Sequence, residues 1–107
     1  MIQSNLLQQV DQAFGAHNNQ HGLELLRAYV AENPKDNEQL YRLAVIEEQI
    51  GLEENAAIAY LQCIKNDRSF LKAYLYAGYF FQQLGQMDKA LALYSLGNDQ
   101  DARLSLL

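Results

Sequence analysis

Apolar residues recur with helical spacing along this chain, in short segments separated by polar or glycine-containing stretches. One such segment contains Leu40, Leu43, Ala44, Ile46 and Ile50, and the next contains Ala56, Ala57, Tyr60, Leu61 and Ile64. Steps of three and four residues place these side chains on one face of an α-helix. Gly51 lies between the two segments, where a tight turn needs a permissive backbone. The pattern predicts pairs of amphipathic helices joined by short turns.

This helix-turn-helix pattern recurs every 34 residues. Equivalent positions are held by Leu6, Leu40 and Tyr74, by Val10, Ala44 and Gly78, and by Leu26, Tyr60 and Tyr94. Gly51 and Ala56 likewise recur as Gly85 and Ala90. Such a period indicates a helical repeat architecture. We predict one domain over residues 1–107, with repeats at 3–36, 37–70 and 71–104 and turns near 15–20, 51–52 and 85–86.

These columns resemble the tetratricopeptide repeat, which places large, small and aromatic residues at fixed positions in each repeat. The second repeat matches with Leu40, Leu43, Ala44, Gly51, Ala56, Tyr60 and Cys63, and the third with Tyr74, Ala77, Gly78, Phe81, Gly85, Ala90 and Tyr94. The first repeat departs from the pattern at Gln9 and His17. The resemblance implies an all-α, right-handed α-solenoid of three antiparallel helix-turn-helix repeats. Its small residues would allow close helix packing.

The resemblance also implies a function: the first helix of each repeat would line a concave groove that holds a peptide or helix of a partner protein. The corresponding residues are Leu7, Asp11, Phe14, Glu38, Tyr41, Val45, Glu48, Lys72, Leu75, Tyr79 and Gln82. We expect Tyr41 and Tyr79 to be the anchors, because tyrosine buries a large area at low entropic cost. The alternative is that these tyrosines only cover helix surface.

Some members of this family bind the acidic C-terminal tails of heat-shock chaperones through a clamp of Lys, Asn and Arg side chains. The equivalent positions here are Leu7, Asp11, Arg42, Lys72 and Tyr76, and Lys72 alone matches. We therefore expect no binding of such tails. The expected partner segment carries apolar anchors, with basic residues facing Asp11, Glu38 and Glu48.

The charge of the chain argues against nucleic acid and membrane partners. Thirteen acidic and eight basic side chains give a net charge of −5, and the basic residues are scattered singly. No cluster could neutralise several phosphates or anionic headgroups. No apolar stretch approaches the roughly 20 residues that span a bilayer, and no secretory signal is visible at the start. The expected compartment is the cytoplasm.

No set of residues predicts catalysis, a metal site or a cofactor. His17 and His21 are four residues apart, but the intervening polar residues and Gly22 predict a turn without a third ligand. Cys63 is expected to be a buried structural thiol. The paired acids Glu47-Glu48 and Glu53-Glu54 are expected to form a solvated acidic face. The sequence contains no glycine-rich phosphate loop and no Ser/His/Asp order typical of a catalytic triad. The chain is therefore not predicted to be an enzyme.

The C-terminal end leaves alternatives open. The sixth helix is expected to break at residues 97–99, with residues 102–107 opening a further helix. Leu91, Tyr94 and the terminal leucines would then form an exposed apolar patch of the kind that marks an interface. One alternative is self-association as a homodimer through the C-terminal helix. Another is that the chain is the N-terminal recognition arm of a longer polypeptide whose other domain is catalytic.

Overall fold

The computed structural model describes the backbone of residues 2–105 and the side chains of residues 5–101. This part of the chain forms six α-helices and no strand. Their bounds are α1 Ile2–Gly15, α2 Asn19–Glu32, α3 Asn37–Gln49, α4 Glu53–Asn66, α5 Leu71–Gln83 and α6 Met87–Ser105. The predicted all-α class is confirmed, and α3 and α5 begin where the second and third predicted repeats begin.

Consecutive helices pack as three hairpins, α1 with α2, α3 with α4, and α5 with α6. Neighbouring hairpins then stack through α2 against α3 and through α4 against α5. A single hairpin cannot cover its own apolar face, so each one buries that face on its neighbour. This arrangement confirms the α-solenoid that the 34-residue period predicts.

Small residues bring the helices of each hairpin close together. Ala44, Ala56 and Ala90 are completely buried. A Cβ atom added to Gly78 in α5 would lie 2.5 Å from Cε1 of Tyr94 in α6, so the tyrosine ring packs directly on the glycine backbone. A larger side chain at these positions would force the helices apart.

The three hairpin turns share one backbone feature. Gly51 and Gly85 have positive φ angles of 86° and 76°, and His17 has a φ angle of 61°. These residues are 34 positions apart and each follows the first helix of its hairpin. Left-handed backbone is free of strain for glycine and unfavourable for other residues. The turns lie where the sequence predicts them, and His17 adopts the conformation of the glycines that it replaces.

Gly22 lies inside α2, so its assignment to the first turn was wrong. Asn18 caps the helix, its side-chain oxygen accepting a hydrogen bond from the backbone N–H of His21 at 3.4 Å. A Cβ atom added to Gly22 would lie 2.9 Å from the ring of Phe14. The glycine therefore allows α1 to approach α2, as Ala56 and Ala90 do in the other hairpins.

The predicted break of the sixth helix at residues 97–99 was also wrong. α6 continues through Gly97 to Ser105, so residues 102–105 belong to its last turn. A Cβ atom added to Gly97 would lie 2.9 Å from Cβ of Tyr74, and the glycine lets α6 pack closely on α5. The predictions for the side chain of Leu104 and for Leu106 and Leu107 lie outside the described residues.

The interface between the first two hairpins contains a buried carboxylate. Glu47 in α3 has a relative exposure of 4%, and its Oε2 lies 3.3 Å from Nη2 of Arg27 in α2. The prediction of a solvated acidic face was wrong here, because α2 covers this side of α3. Glu48 is half-buried, whereas Glu53 and Glu54 are exposed as expected.

Candidate partner-binding face

Side chains of α1, α3 and α5 contact one another across neighbouring hairpins, and we call this side of the array the first-helix face. Nη1 of Arg42 in α3 donates to Oδ1 of Asp11 in α1 at 2.8 Å. Nζ of Lys72 in α5 donates to Oε2 of Glu38 in α3 at 3.1 Å. Each ion pair joins one hairpin to the next, so the first helices present a continuous row of side chains.

Aromatic rings pack together between α3 and α5. The ring of Tyr41 lies 5.6 Å from Tyr76, 6.0 Å from Phe70 and 6.2 Å from Tyr60, measured between centroids. Tyr60 is completely buried, and its hydroxyl donates to Oε1 of Glu48 at 3.0 Å. We call Tyr41, Tyr60, Phe70 and Tyr76 the tyrosine cluster. It makes this part of the face rigid, because each ring is held by at least one other ring.

Burial alters the acidity of the tyrosine cluster. Burial of the ring, and then the neighbouring Tyr76, raise the pKa of Tyr41 to about 12. Burial is also the main cause of the raised pKa of Tyr60, followed by its hydrogen bond to Glu48. Loss of a proton would leave a charge in an apolar environment, which is unfavourable. Both hydroxyl groups are therefore neutral at physiological pH.

The two cations of the first-helix face also lie over aromatic rings. Nζ of Lys72 is 4.8 Å from the ring centroid of Tyr41 and 5.4 Å from that of Phe70. The guanidinium of Arg42 is 5.0 Å from the ring centroid of Phe14. Each cation thus has both a carboxylate and a ring as partners, and a cation over an aromatic face gains further electrostatic stabilisation.

Two open depressions lie along α3 and α5. One, of about 530 Å³, is lined by Glu38, Gln39, Tyr41, Arg42, Val45, Ile46 and Lys72. The other, of about 340 Å³, is lined by Glu48, Glu53, Tyr79, Phe80, Gln83 and Leu84. Tyr79, which is 49% exposed, lines the second depression, and Tyr76, which is 40% exposed, packs against Tyr41 of the first. The first-helix face thus combines exposed aromatic surface with space for the side chains of another molecule.

Four other groove residues predicted from the sequence occupy different environments. Leu7 and Phe14 are half-buried and pack against the small core between the first two hairpins. Val45 packs against the main core. Leu75 is 58% exposed and lies at the C-terminal end of the array, in a depression of about 400 Å³ that it shares with Leu71, Tyr74, Tyr94, Gly97, Asn98 and Asp101. Leu75 occupies the same position in the third repeat as Tyr41 in the second repeat, where the third hairpin covers the tyrosine.

Arg42 and Tyr76 belong to the first-helix face although the sequence-based groove omitted them. They are 34 residues apart, so they occupy equivalent positions in adjacent repeats. Each immediately follows a predicted groove residue, Tyr41 and Leu75. Tyr76 is also four residues after Lys72, and this helical spacing was the signal that could have identified it.

The candidates for chemistry lie apart from this face. Cys63 is fully buried, as predicted, and burial raises the pKa of its thiol to about 12. His17 lies in the first turn and His21 in α2, so one helix does not carry both. Among the described residues, no three His, Cys, Asp or Glu side chains come together as metal ligands. The helices in that part of the chain also lack the length and apolar character needed to cross a bilayer.

Comparison with known proteins identifies the fold through structure alone. No protein-family model matches the chain, and no characterised protein matches it in sequence. A crystal structure of MamA superposes with a TM-score of 0.82 at 19% identity, covering 92% of this chain and 57% of MamA. The type III secretion translocator chaperone SycD of Yersinia enterocolitica gives a TM-score of 0.77 at 14% identity, covering 94% of this chain and 76% of SycD.

A further MamA structure, from Desulfovibrio magneticus RS-1, gives a TM-score of 0.78 at 15% identity and covers 92% of this chain. This chain spans 55% of that MamA, so it corresponds to little more than half of the MamA length. These similarities, together with the six paired helices, show a tetratricopeptide-like fold. The resemblance drawn from the repeat columns is confirmed.

Proposed function

We propose that this chain is a protein-interaction module that binds a segment of another protein along its first-helix face. The observation that carries the proposal is the exposure of Tyr79 in one depression and of Tyr76 against Tyr41, which lines the other. Tyrosine in such a setting is a good anchor, since its ring buries apolar area and its hydroxyl can still form a hydrogen bond. The structural similarity to SycD, which is described as a translocator chaperone, supports a protein-binding role.

The rigidity of the first-helix face favours binding. Tyr41 is held between Tyr60, Phe70 and Tyr76, and the ion pairs of Arg42 and Lys72 connect successive hairpins. A surface that is already ordered loses little conformational entropy when a partner binds. An extended or helical segment could therefore use the existing depressions without rearranging the helices.

The test is capture of partners from a lysate with wild type and with Tyr76→Ala/Tyr79→Ala. Because Tyr76 also belongs to the tyrosine cluster, Tyr79→Ala alone is compared with the double variant, and it separates loss of an anchor from disturbance of the cluster. Loss of both anchors should weaken binding of a captured partner by about 2 kcal/mol or more. Leu96→Ala is the control, because Leu96 is 51% exposed on α6 and lines neither depression of this face. Equal affinity for wild type and the tyrosine variant would contradict the proposal.

A second candidate function is self-association through the C-terminal end of the array. Leu75 and Tyr94 line the depression there, and Leu91 is 59% exposed nearby in α6. The equivalents of Leu75 and Tyr94 in the second repeat, Tyr41 and Tyr60, are covered by the following hairpin. SycD, one of the similar structures, is described as a dimer.

Sedimentation velocity over a range of concentrations tests this candidate. Leu75→Glu should shift the chain toward monomer, since it places a charge on the apolar surface. Ile58→Glu is the control, because Ile58 is 68% exposed on α4 and does not line this depression. A wild-type chain that stays monomeric at high micromolar concentration would exclude self-association through this end.

A further inference from the structure

Four charges of the first-helix face are compensated within the chain. Asp11 pairs with Arg42 and Glu38 pairs with Lys72, at 2.8 and 3.1 Å. The sequence alone leads one to expect free carboxylates that attract basic residues of a partner. The structure instead shows two acids and two bases that alternate across three hairpins and cancel pairwise.

A charged ligand would gain little by entering this arrangement. A ligand cation could share the exposed carboxylate of Glu38 with Lys72, which already neutralises it, or it could displace Lys72 and exchange one ion pair for another. Lys72 would also leave the rings of Tyr41 and Phe70, over which its ammonium group lies. A ligand anion would face the same exchange at Lys72 or Arg42. Exchange of exposed ion pairs contributes little net free energy.

Glu48 is the remaining charge on the α3 part of this face. It is half-buried, and its Oε1 accepts the hydroxyl hydrogen of Tyr60 at 3.0 Å. Its role is thus to support the tyrosine cluster. Glu53 of α4 is exposed and lines the same depression, so a contribution from a basic ligand would be found at these two acids.

Apolar contact remains as the source of selectivity. The half-buried Val45 and Ile46 line the first depression, and the exposed Tyr79 lines the second. The exposed Tyr76 packs against Tyr41 at the first depression. Removal of this surface from water favours binding in proportion to the apolar area. It does so without displacing any of the ion pairs.

We propose that the first-helix face selects uncharged segments with apolar or aromatic anchors, and that the charge of the ligand contributes little to affinity. This inference rests on the proposed function, because it specifies the partner of the same face. It also predicts that binding is nearly independent of salt, since salt screens interactions between exposed charges and leaves apolar contacts intact.

A phage-displayed library of random peptides, panned against the intact chain, tests the inference. The enriched peptides are synthesised and their dissociation constants are measured at about 0.05 and 0.5 M NaCl. We expect apolar peptides with few charges, whose affinity changes less than about twofold with salt. Tyr76→Ala/Tyr79→Ala should weaken them at least about thirtyfold, while the control Leu96→Ala, at an exposed position of α6 that lines neither depression, should leave their affinity within about twofold of the wild-type value.

The possible failures are distinct. Enrichment of Lys- or Arg-rich peptides that require Glu48, or of acidic peptides that require Lys72, would overturn the inference while leaving the face as the binding site. Peptides that bind the double tyrosine variant as well as wild type would instead overturn the proposed function, and the inference with it. If panning on wild type enriches no peptide beyond those enriched by panning on Tyr76→Ala/Tyr79→Ala, the proposed function and the inference would both be overturned.

Discussion

His17 has a left-handed backbone conformation, which glycine adopts at the equivalent position of the other two hairpin turns. Its φ angle of 61° is close to those of Gly51 and Gly85, which occupy the same position in the following repeats. A side chain at this conformation brings Cβ close to the following carbonyl oxygen, which costs about 1–2 kcal/mol. The geometry of the hairpin is thus retained in the first repeat even though the residue that suits it best is absent.

Replacing this histidine by glycine should stabilise the protein. His17→Gly removes the strain, partly offset by the greater flexibility of glycine in the unfolded chain, and should raise the free energy of unfolding by about 1 kcal/mol. Urea denaturation measures the change. His21→Gly is the matched control, because His21 lies within α2, where glycine should destabilise by about 1 kcal/mol. A lower stability for His17→Gly would contradict this account of the turn.

The glycines show what a residue type alone leaves undecided. Gly51 and Gly85 end helices in turns, whereas Gly22 and Gly97 lie inside helices against the side chains of Phe14 and Tyr74. Both uses follow from the missing Cβ, through backbone freedom in one case and close approach in the other. The choice depends on what the neighbouring helix presents, and a single helix does not contain that information.

The two interfaces between hairpins differ in character. Arg27 and Glu47 meet between α2 and α3, and the residues 34 positions further along are Leu61 and Phe81, on α4 and α5. One junction therefore uses an ion pair where the next has apolar residues. Since Glu47 is buried and Arg27 is partly exposed, the carboxylate depends strongly on its single cation.

Removal of the arginine should destabilise the first junction. Arg27→Ala leaves a buried carboxylate without its cation and should lower the free energy of unfolding by about 3 kcal/mol. Arg27→Leu/Glu47→Phe, which copies the residues of the next repeat, should recover most of this loss, because apolar pairs often replace buried ion pairs without cost. Urea denaturation compares the variants, with the exposed Arg68→Ala as control. If Arg27→Ala is as stable as Arg68→Ala, the ion pair has no structural role.

For the molecule as a whole, the free energy of unfolding depends on pH in the alkaline range, because the buried thiol of Cys63 and the hydroxyl of Tyr41 keep their protons in the folded state. Burial raises the pKa of Cys63 from 9.0 to about 12 and that of Tyr41 from 10.0 to about 12. The folded chain therefore retains protons that the unfolded chain releases. The resulting stabilisation is complete below pH 9 and is lost progressively as the pH rises toward 12.

Alkaline titration of the unfolding free energy should show this loss. Stability is expected to fall between pH 9 and 12 in wild type, and less steeply in Cys63→Ala, which removes one of the linked groups. The absolute stability of the variant should be lower at every pH because it leaves a small cavity. Parallel slopes for the two proteins would show that the thiol does not contribute.

The sequence by itself determined that the helices form three pairs with turns at Gly51 and Gly85, although it wrongly placed Gly22 in a turn and a break in α6. These features depend on local spacing and on the 34-residue period, both of which are visible without coordinates. It also indicated which helices form the candidate face, through Tyr41, Lys72 and Tyr79. Amphipathic periodicity specifies which side of a helix is apolar, so it predicts an array of hairpins directly.

Only the tertiary structure decided which charges are free. Glu47 was expected in solvent and is buried against Arg27, and the acids Asp11 and Glu38 have their cations on neighbouring hairpins. Arg42 and Tyr76 join the first-helix face through the same contacts between hairpins. These pairs link residues 20 to 34 positions apart. Whether two such groups meet depends on how hairpins stack and on the direction of each side chain, because helical periodicity assigns a residue to a face and not to a partner.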